Sequence, residues 1–295
     1  MKIFARCGYR AAAALIVSAG IFGVLSCTPP TAIATFAGTA DAAIAQGPPI
    51  FADIHDSCVR RQSDEARIAP QYPHAGQDNQ NKPANPQSVC ASFAPEVTEL
   101  EHVSSVLTAY FQAMQQLAAF DQSAISMQAT QTGQNAGAAA VLSANQVDAV
   151  SKLSGLVTRA FTEHYQRGKL IEFLRAADPH VAVVTQALET IVSKDYAGLL
   201  EEEERAVNRR YQRVSGNRDT ATVLLLNRAY SQDVNELQRR RAAAATYSAA
   251  LMQIRNGHHQ LAESIEHLNN KQIALTLQPY ISQLQTLVRA VQYRP

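Results

Sequence analysis

The sequence predicts an all-α protein, and two observations support this prediction. The 295-residue chain has no Trp, only 13 Gly and 12 Pro, and it is 46% hydrophobic but 6% aromatic. This composition favours helix formers over strand formers. Residues 219–268 also keep a heptad apolar repeat without a proline, which is typical of a long helix that buries one narrow seam. We therefore expect an elongated antiparallel bundle of four to five long helices, preceded by a flexible tether.

The first residues have the features of an export signal. Residues 1–10 contain three basic residues and no acidic one, and residues 11–26 are apolar and small. A basic head followed by a short apolar run is typical of a secretory signal peptide, and the run is short for a transmembrane helix. We therefore expect residues 1–26 to be a signal peptide that is removed from the mature protein.

The end of this signal carries a resemblance to a known class. The residues Val24, Leu25, Ser26 and Cys27 resemble the lipobox of bacterial lipoproteins. The resemblance implies that Cys27 becomes the acylated first residue, for example bearing palmitate, and anchors the protein in a membrane of the cell envelope. Thr28 follows this cysteine, which in many such lipoproteins implies an outer-membrane address. The alternative is an ordinary secreted protein that is cut later, near residues 43–45.

Two of the four cysteines remain available for a disulfide. Cys7 leaves with the signal and Cys27 takes the lipid, so that Cys58 and Cys90 form one pair in an oxidising compartment such as the periplasm. Closing a loop of about thirty residues stabilises the fold by roughly 3 to 4 kcal/mol in the chain-entropy estimate. We expect this bond to join a short helix to the start of the bundle.

Four segments follow from these patterns. After the signal peptide, residues 27–49 are rich in Ala, Thr and Pro with a single charged residue, which predicts a flexible tether. Residues 50–91 contain enough apolar residues for a short helix, followed by a polar loop that the disulfide closes. Residues 92–295 form the helical bundle.

Breaks in the apolar periodicity divide the bundle into helices. We expect turns at residues 131–137, at Asp178 and Pro179, at residues 216–217 and at residues 269–270, where Gly, Asn or an Asp-Pro pair interrupts the pattern. The apolar phase runs straight across Pro179, so that one long kinked helix is the alternative there. Asp219 caps the longest helix, and Gly257 does not interrupt it because the apolar positions on both sides stay in phase.

Three polar residues occupy seam positions of the longest helix. Asp233, Arg240 and His258 stand where the repeat calls for apolar side chains. Buried polar side chains of this kind fix the register between helices more often than they catalyse reactions. We expect them to pair with polar groups of neighbouring helices.

A possible metal site lies near the end of the same helix. His259, Glu263 and His267 are spaced four residues apart and would share one helical face. The seam faces the other way, so a solvated polar face is the alternative.

Arginines cluster where the third predicted helix turns into the fourth. They are candidates for binding an anion or an acidic partner, although the acidic run at residues 201–204 precedes them and can pair with them instead. The cluster comprises Arg205, Arg209, Arg210, Arg213 and Arg218.

The sequence indicates no catalytic activity or cofactor. It contains no nucleophile elbow, phosphate-binding loop, dinucleotide motif or zinc-protease motif. Without the signal, 23 basic residues face 25 acidic ones, so the chain lacks the basic excess of nucleic-acid-binding proteins. We predict a membrane-anchored envelope lipoprotein whose non-enzymatic bundle binds an envelope protein or has a structural role. The alternatives are a small-ligand or metal-binding lipoprotein and an enzyme with a site between helices.

Overall fold

The computed structural model describes residues 29–68, 85–119, 141–162, 167–214 and 219–292. Within these ranges the chain is helical and contains no strand, which confirms the all-α prediction. The signal peptide, Cys27, most of the polar loop and the predicted turns at 131–137 and 216–217 lie outside the described residues. The helices are α1 (Pro29–Ile44), α2 (Gly47–Ile68), α3 (Pro86–Val89), α4 (Phe93–Ala119), α5 (Ala144–Thr162), α6 (Arg167–Thr190), a π-helical turn (Ile191–Tyr196), α7 (Ala197–Val214), α8 (Thr220–Ser264) and α9 (Asn270–Gln292).

Helix α8 is the longest element and contacts most of the others. It begins where the sequence predicts, because the Asp219 carboxylate accepts a hydrogen bond of 3.0 Å from the Thr222 backbone N–H. Its 45 residues correspond to about 68 Å. The predicted seam is buried only from Leu237 onward, and the helix ends at Ser264, four residues before the predicted end. The first third of α8 therefore lies outside the core.

Gly257 lets two other helices approach α8 closely. The helix continues through this residue, as predicted. A Cβ atom at position 257 would lie 2.6 Å from the Phe36 ring of α1 and 3.1 Å from Tyr280 Cβ of α9. The glycine therefore reduces helix propensity but allows close packing.

The prediction of a flexible tether over residues 27–49 is wrong for every residue that the structure describes. Residues 29–44 form α1, which packs against α4, α8 and α9, and residues 47–49 open α2. The apolar residues of α1 recur at helical spacing, so one face of the helix is buried. The buried residues of this face include Ile33, Phe36, Ala37, Ala40 and Ile44. Small alanines allow close helix packing, so their abundance does not indicate flexibility in this segment.

Asp178 and Pro179 do not begin a new helix. Pro179 lies inside α6, so the predicted turn is wrong and the alternative of one continuous helix applies. Helix α6, the π-helical turn and α7 follow one another without interruption over residues 167–214. Pro279 likewise lies inside α9. Asp178, which precedes Pro179, does not cap a new helix. Its carboxylate instead contacts His258 and His259 of α8.

The disulfide forms as predicted. Cys58 of α2 and Cys90, just after α3, are joined by an S–S bond of 2.01 Å, and both are buried. The bond fixes the start of the α4 segment to α2. Among the described residues, no helix combines the length and hydrophobicity needed to span a membrane.

Candidate functional site

Helix α8 takes part in two polar clusters, each built around a buried side chain, Glu203 in one and His258 in the other. We call the first the ionic layer, formed by Asp53, Arg60, Tyr196, Glu203 and Arg240 with Ser57. We call the second the imidazole layer, formed by Tyr110, Asp178, His258 and His259. The ionic layer joins α8 to α2, α7 and the π-helical turn, and the imidazole layer joins α8 to α4 and α6.

Glu203 is the centre of the ionic layer. This glutamate projects from α7 and is only 2% exposed. Arg240 of α8 donates two hydrogen bonds to its carboxylate, from Nη1 at 2.9 Å and from Nη2 at 3.0 Å. Arg60 Nε and Ser57 Oγ, both from α2, donate at 2.8 and 2.7 Å. Donors from two helices, α2 and α8, therefore saturate the carboxylate, as a buried charge requires.

Asp53 completes the charge balance of this layer. Its carboxylate accepts from Arg60 Nη2 at 2.7 Å and from Arg240 Nη1 at 3.3 Å. The Tyr196 hydroxyl donates to it at 2.6 Å from the last residue of the π-helical turn. A π-helical turn inserts one extra residue into a helix and frequently accompanies a functional site. Here it lies between α6 and α7 and ends at a residue that contacts the buried charges.

The fields inside the ionic layer favour the charged forms. Burial raises the pKa of the Glu203 carboxyl, but the hydrogen bonds from Arg240, Arg60 and Ser57 outweigh burial and hold that pKa below its ordinary value. Burial lowers the pKa of Arg240, and its contacts with Glu203 and Asp53 reverse this effect and raise it. Burial, followed by the bond to Asp53, raises the pKa of Tyr196. The layer is therefore a charged network in which the tyrosine remains protonated.

The ionic contacts continue from the buried layer toward the first turns of α8. Arg210 of α7 bridges Asp64 of α2 and Asp233 of α8. The Tyr211 hydroxyl donates to Asp233 at 3.0 Å. Two adjoining clefts of about 320 and 380 Å³ lie beside these pairs, between α2, α7 and α8. The charged network thus borders open space.

The imidazole layer lies nearer the other end of α8. His258 is fully buried, and its Nε2 lies 2.6 Å from the Tyr110 hydroxyl of α4. Its Nδ1 lies 2.9 Å from Asp178 Oδ1 of α6, while Asp178 Oδ2 lies 2.8 Å from Nδ1 of the exposed His259. The Tyr110 ring stacks on Phe173 with centroids 5.1 Å apart. One carboxylate therefore holds two consecutive histidines against α6.

The proton positions in this layer follow from its contacts. With a proton on Nδ1, His258 donates to Asp178, and its Nε2 accepts from the Tyr110 hydroxyl, so both ring nitrogens have a partner. Burial, and then the charge of Asp178, raise the pKa of Tyr110. Burial raises the pKa of Asp178, but the bonds from His258 and His259 lower it overall. The bond to Asp178 in turn raises the pKa of His259 despite partial burial.

The seam residues that the sequence singles out are engaged in these contacts. Asp233 is bound by Arg210, Arg240 by Glu203, and His258 by Tyr110 and Asp178. All three side chains pair with other helices.

The predicted arginine cluster is largely paired with acids. Arg205 contacts Glu201 at 3.4 Å, Arg209 contacts Glu65 at 3.2 Å, and Arg210 lies in the bridge described above. Arg213 lies in the last turn of α7, and Arg218 is outside the described residues. For the three paired arginines, self-pairing describes the surface better than an open anion site.

The predicted metal face of α8 does not form as expected. His259 and Glu263 approach to 3.4 Å, but α8 ends at Ser264, so His267 lies in the turn beyond it. The assumption that all three share one helical face is therefore wrong. Among the described residues, no group of three or more His, Cys, Asp or Glu side chains is arranged to hold a metal.

The sequence reading missed several residues of both layers. The Asp-Pro pair predicts a turn at Asp178, and the acidic run at residues 201–204 predicts pairing with nearby arginines instead of a buried Glu203. A signal existed for Glu203, because it follows Leu200 by three residues and precedes Val207 by four, on the buried face of α7. The sequence around Tyr110 does not indicate its hydrogen-bond partner, which comes from α8.

The fold and the two layers define an all-α protein whose helices are joined by buried polar contacts. Comparison with known proteins finds no matching family model, no similar curated protein and no similar solved structure.

Proposed function

We propose that this protein is a lipid-anchored lipoprotein of the cell envelope, in the outer membrane, whose elongated antiparallel helical bundle binds another envelope protein. The anchor rests on the lipobox-like residues that end in Cys27, and the Cys58–Cys90 disulfide fits an oxidising compartment. The fold offers a rigid support, because the two polar layers connect its helices internally.

One surface feature carries the binding part of the proposal. Leu224 and Leu225 are exposed large hydrophobic residues near the start of α8, and we call them the apolar strip. Their side chains are exposed to 65% and 70%. An exposed group of apolar residues of this kind often marks a protein interface.

The strip lies far from α1, the helix that follows the proposed anchor in the sequence. Phe36 of α1 lies beside Gly257, whereas Phe51 of α2 stacks edge-on with Tyr247, so the chain from α1 to α2 runs opposite to α8. Gly257 and Leu225 are 32 residues apart on one helix, which is about 48 Å. A protein attached at Cys27 would therefore present the strip at the opposite end, where it is accessible to an envelope partner.

Membrane fractionation tests the anchor. In the proposal, Cys27→Ser removes the acylation site and transfers the protein from the membrane fraction to the soluble envelope fraction. Continued membrane association of this variant would overturn the lipid-anchored part of the proposal, and would leave the apolar strip to be tested separately.

Cross-linking tests the strip. A photoreactive residue at position 224 or 225 is expected to give a discrete cross-linked product in intact cells, and the same residue at Leu275 of α9 provides the control because Leu275 is exposed to 60%. The product from position 225 should disappear when Leu224 is changed to Ser. Equal products from positions 225 and 275, or none from the strip, would contradict specific protein binding.

A further inference from the structure

Very little chain separates the proposed lipid anchor from the folded core. Helix α1 begins at Pro29, two residues after Cys27. Two residues span at most about 7 Å even when fully extended. Ala32 and Ile33 are already buried, with exposed fractions of 2% and 4%. A lipid on Cys27 would therefore hold the end of the bundle where α1 begins close to the bilayer surface.

Helices α1, α8 and α9 pass one another in a common register. One level of contact consists of Phe36, Gly257 and Tyr280. A second level surrounds a small cavity and includes Ala43, Ala250 and Leu287. The second level lies seven residues later in α1 and α9 but seven residues earlier in α8. Helices α1 and α9 therefore run parallel to each other, and both run antiparallel to α8.

The same register shows which residues lie beside the start of α1. A step of seven residues in the other direction leads to Pro29, Ser264 and Ile273. Helix α8 ends at Ser264, and α9 begins at Asn270, about 4.5 Å before Ile273. The connection over residues 265–269 and the first turn of α9 therefore extend beyond the start of α1, away from the core.

This end of the bundle combines a fixed connection with an exposed lysine and an exposed leucine. We call residues 265–275 the α8–α9 end. An ion pair of 2.5 Å between Glu266 and Arg175 holds the connection against α6. Lys271 is exposed on the first turn of α9, and Leu275, one turn later on the same face, is exposed to 60%. Lysine side chains extend toward lipid phosphates, and leucines enter the apolar boundary of a membrane surface.

We propose that the α8–α9 end rests on a phospholipid bilayer, so that α8 extends away from the membrane. This inference rests on the proposed anchor at Cys27, and it adds which surface of the protein contacts the lipid. The two residues from Cys27 to Pro29 are too short to leave room for a second protein between this end and the bilayer.

The dimensions of the α8–α9 end match those of a lipid headgroup layer. Leu275 lies about 7.5 Å from Asn270 along α9, and the headgroup layer of one leaflet is about 5 to 7 Å thick. Lys271 then lies among the headgroup phosphates, and Leu275 lies at the outer border of this layer. The apolar strip at the other end of α8 stays clear of the membrane.

Fluorescence quenching along α9 tests this arrangement. Three exposed positions on one face of α9, spaced about 10.5 Å apart, are changed in separate variants, namely Lys271→Cys, Gln278→Cys and Gln285→Cys. In the mature acylated protein the new thiol is the only free one, because Cys58 and Cys90 are bonded to each other and Cys27 carries the lipid. Each thiol carries a fluorophore, and the protein is bound to vesicles of phosphatidylethanolamine and phosphatidylglycerol with a spin label on the headgroup. We expect quenching to be strongest at position 271, weaker at 278 and weakest at 285.

A matched pair of exposed leucines tests the lipid contact directly. A fluorophore at Leu275→Cys should shift its emission to shorter wavelength when the protein binds the vesicles, because it enters the headgroup layer. The same fluorophore at Leu225→Cys is the control, since Leu225 is exposed to 70% near the other end of α8, and its emission should not shift.

Co-flotation with the vesicles separates this inference from the anchor. Protein that fails to float with the vesicles would overturn the anchor and this inference with it. Protein that floats but shows no quenching at any of the three positions would leave the anchor standing and overturn the inference, because the α8–α9 end would then lie away from the bilayer. Equal quenching at all three positions would also overturn it, because α9 would then lie flat on the membrane.

Discussion

The ionic and imidazole layers both accommodate a polar side chain in the apolar seam of α8, but with different partners. Both replace an apolar residue in the seam of α8 with a polar one, at Arg240 and at His258, which are 18 residues and so about 27 Å apart. The ionic layer pairs full charges at the edge of open clefts. The imidazole layer pairs a fully buried histidine with a tyrosine among aromatic rings and leaves only its outer members to solvent.

The difference shows how location determines the chemistry of a buried polar group. The charges of Arg240 and Glu203 are tolerated because each has hydrogen-bonded partners of the opposite sign. Removing one partner leaves a buried charge without its counter-charge, which destabilises the folded state. His258 is held by the Tyr110 hydroxyl and by Asp178, so its layer depends mainly on directed hydrogen bonds. Variants of the two layers should therefore differ in size of effect and in pH dependence.

The largest effect is expected from Glu203→Gln in the ionic layer. Losing this carboxylate leaves Arg60 and Arg240 with Asp53 as their remaining carboxylate partner in the layer, and breaking a buried ion pair costs about 3 to 5 kcal/mol. Urea unfolding measures the loss. The control is Glu204→Gln, since Glu204 is paired with Arg241 near the surface and should cost below about 1 kcal/mol. Similar losses in both variants would show that the buried network has no special energetic role.

The next effect concerns the packing beside the imidazole layer. Gly257→Ala would put a methyl group 2.6 Å from the Phe36 ring, and such overpacking costs about 1 to 3 kcal/mol. Gly155→Ala in α5 is the control, because its Cβ meets open space and the variant should gain about 0.5 to 1 kcal/mol of helix stability. Stabilisation by both variants would mean that α1 does not pack on α8 as closely as the structure shows.

Tyr110→Phe tests the hydrogen bond inside the imidazole layer. The variant keeps the ring stacked on Phe173 but leaves His258 Nε2 without a partner, at a cost of about 1 to 3 kcal/mol. Tyr230→Phe removes an exposed bond to Asn208 and should cost less. Thermal unfolding compares the two variants, and equal midpoints would argue against a buried tyrosine–histidine bond.

The smallest effect is a pH dependence from the outer part of the imidazole layer. The folded protein raises the pKa of His259 above 6.5, so the stabilisation from its bond to Asp178 is fully present below the unfolded pKa and is lost as the pH rises through the folded pKa. The contribution is expected to stay below about 1 kcal/mol because His259 is largely exposed. The free energy of unfolding should therefore fall more in His259→Gln near pH 5.5 than near pH 8.5, two values about three pH units apart that lie on either side of the histidine pKa. Urea unfolding at the two pH values measures this difference.

A histidine of α6, His180, provides the control of opposite sign. Burial, and then the charge of Lys152, lower the pKa of His180. Its effect on stability therefore becomes unfavourable as the pH falls, and His180→Gln should gain relative stability at the lower pH. Parallel responses of the two variants would contradict the contacts assigned to His259.

Local patterns were sufficient to predict part of this fold. The Asp219 cap and the continuity of α8 through Gly257 follow from residue types at short spacing. The Cys58–Cys90 bond follows from the count of cysteines that remain once Cys7 and Cys27 are assigned. Such features depend on local backbone chemistry, on the periodicity of one helix or on a residue count, all of which a single sequence displays.

Features that need a second segment were mispredicted or missed. The composition of residues 27–49 predicts a tether, because alanine and threonine with few charges describe both a flexible segment and a helix packed closely against others. The Asp-Pro pair predicts a turn at Pro179, although a helix tolerates a proline when surrounding contacts compensate for the lost hydrogen bond. In the same region, Asp178 binds His258 and His259 from a helix about 80 residues away in sequence.

The sequence by itself determined the helical class, the longest helix and the three polar positions in its seam. Only the tertiary structure decided what those positions do. Arg240 became part of a charge network because Glu203 and Arg60 approach it from two other helices, and His258 became a hydrogen-bonded core residue because Tyr110 and Asp178 surround it. The seam pattern depends on periodicity within one helix, whereas the partners depend on how separate helices pack.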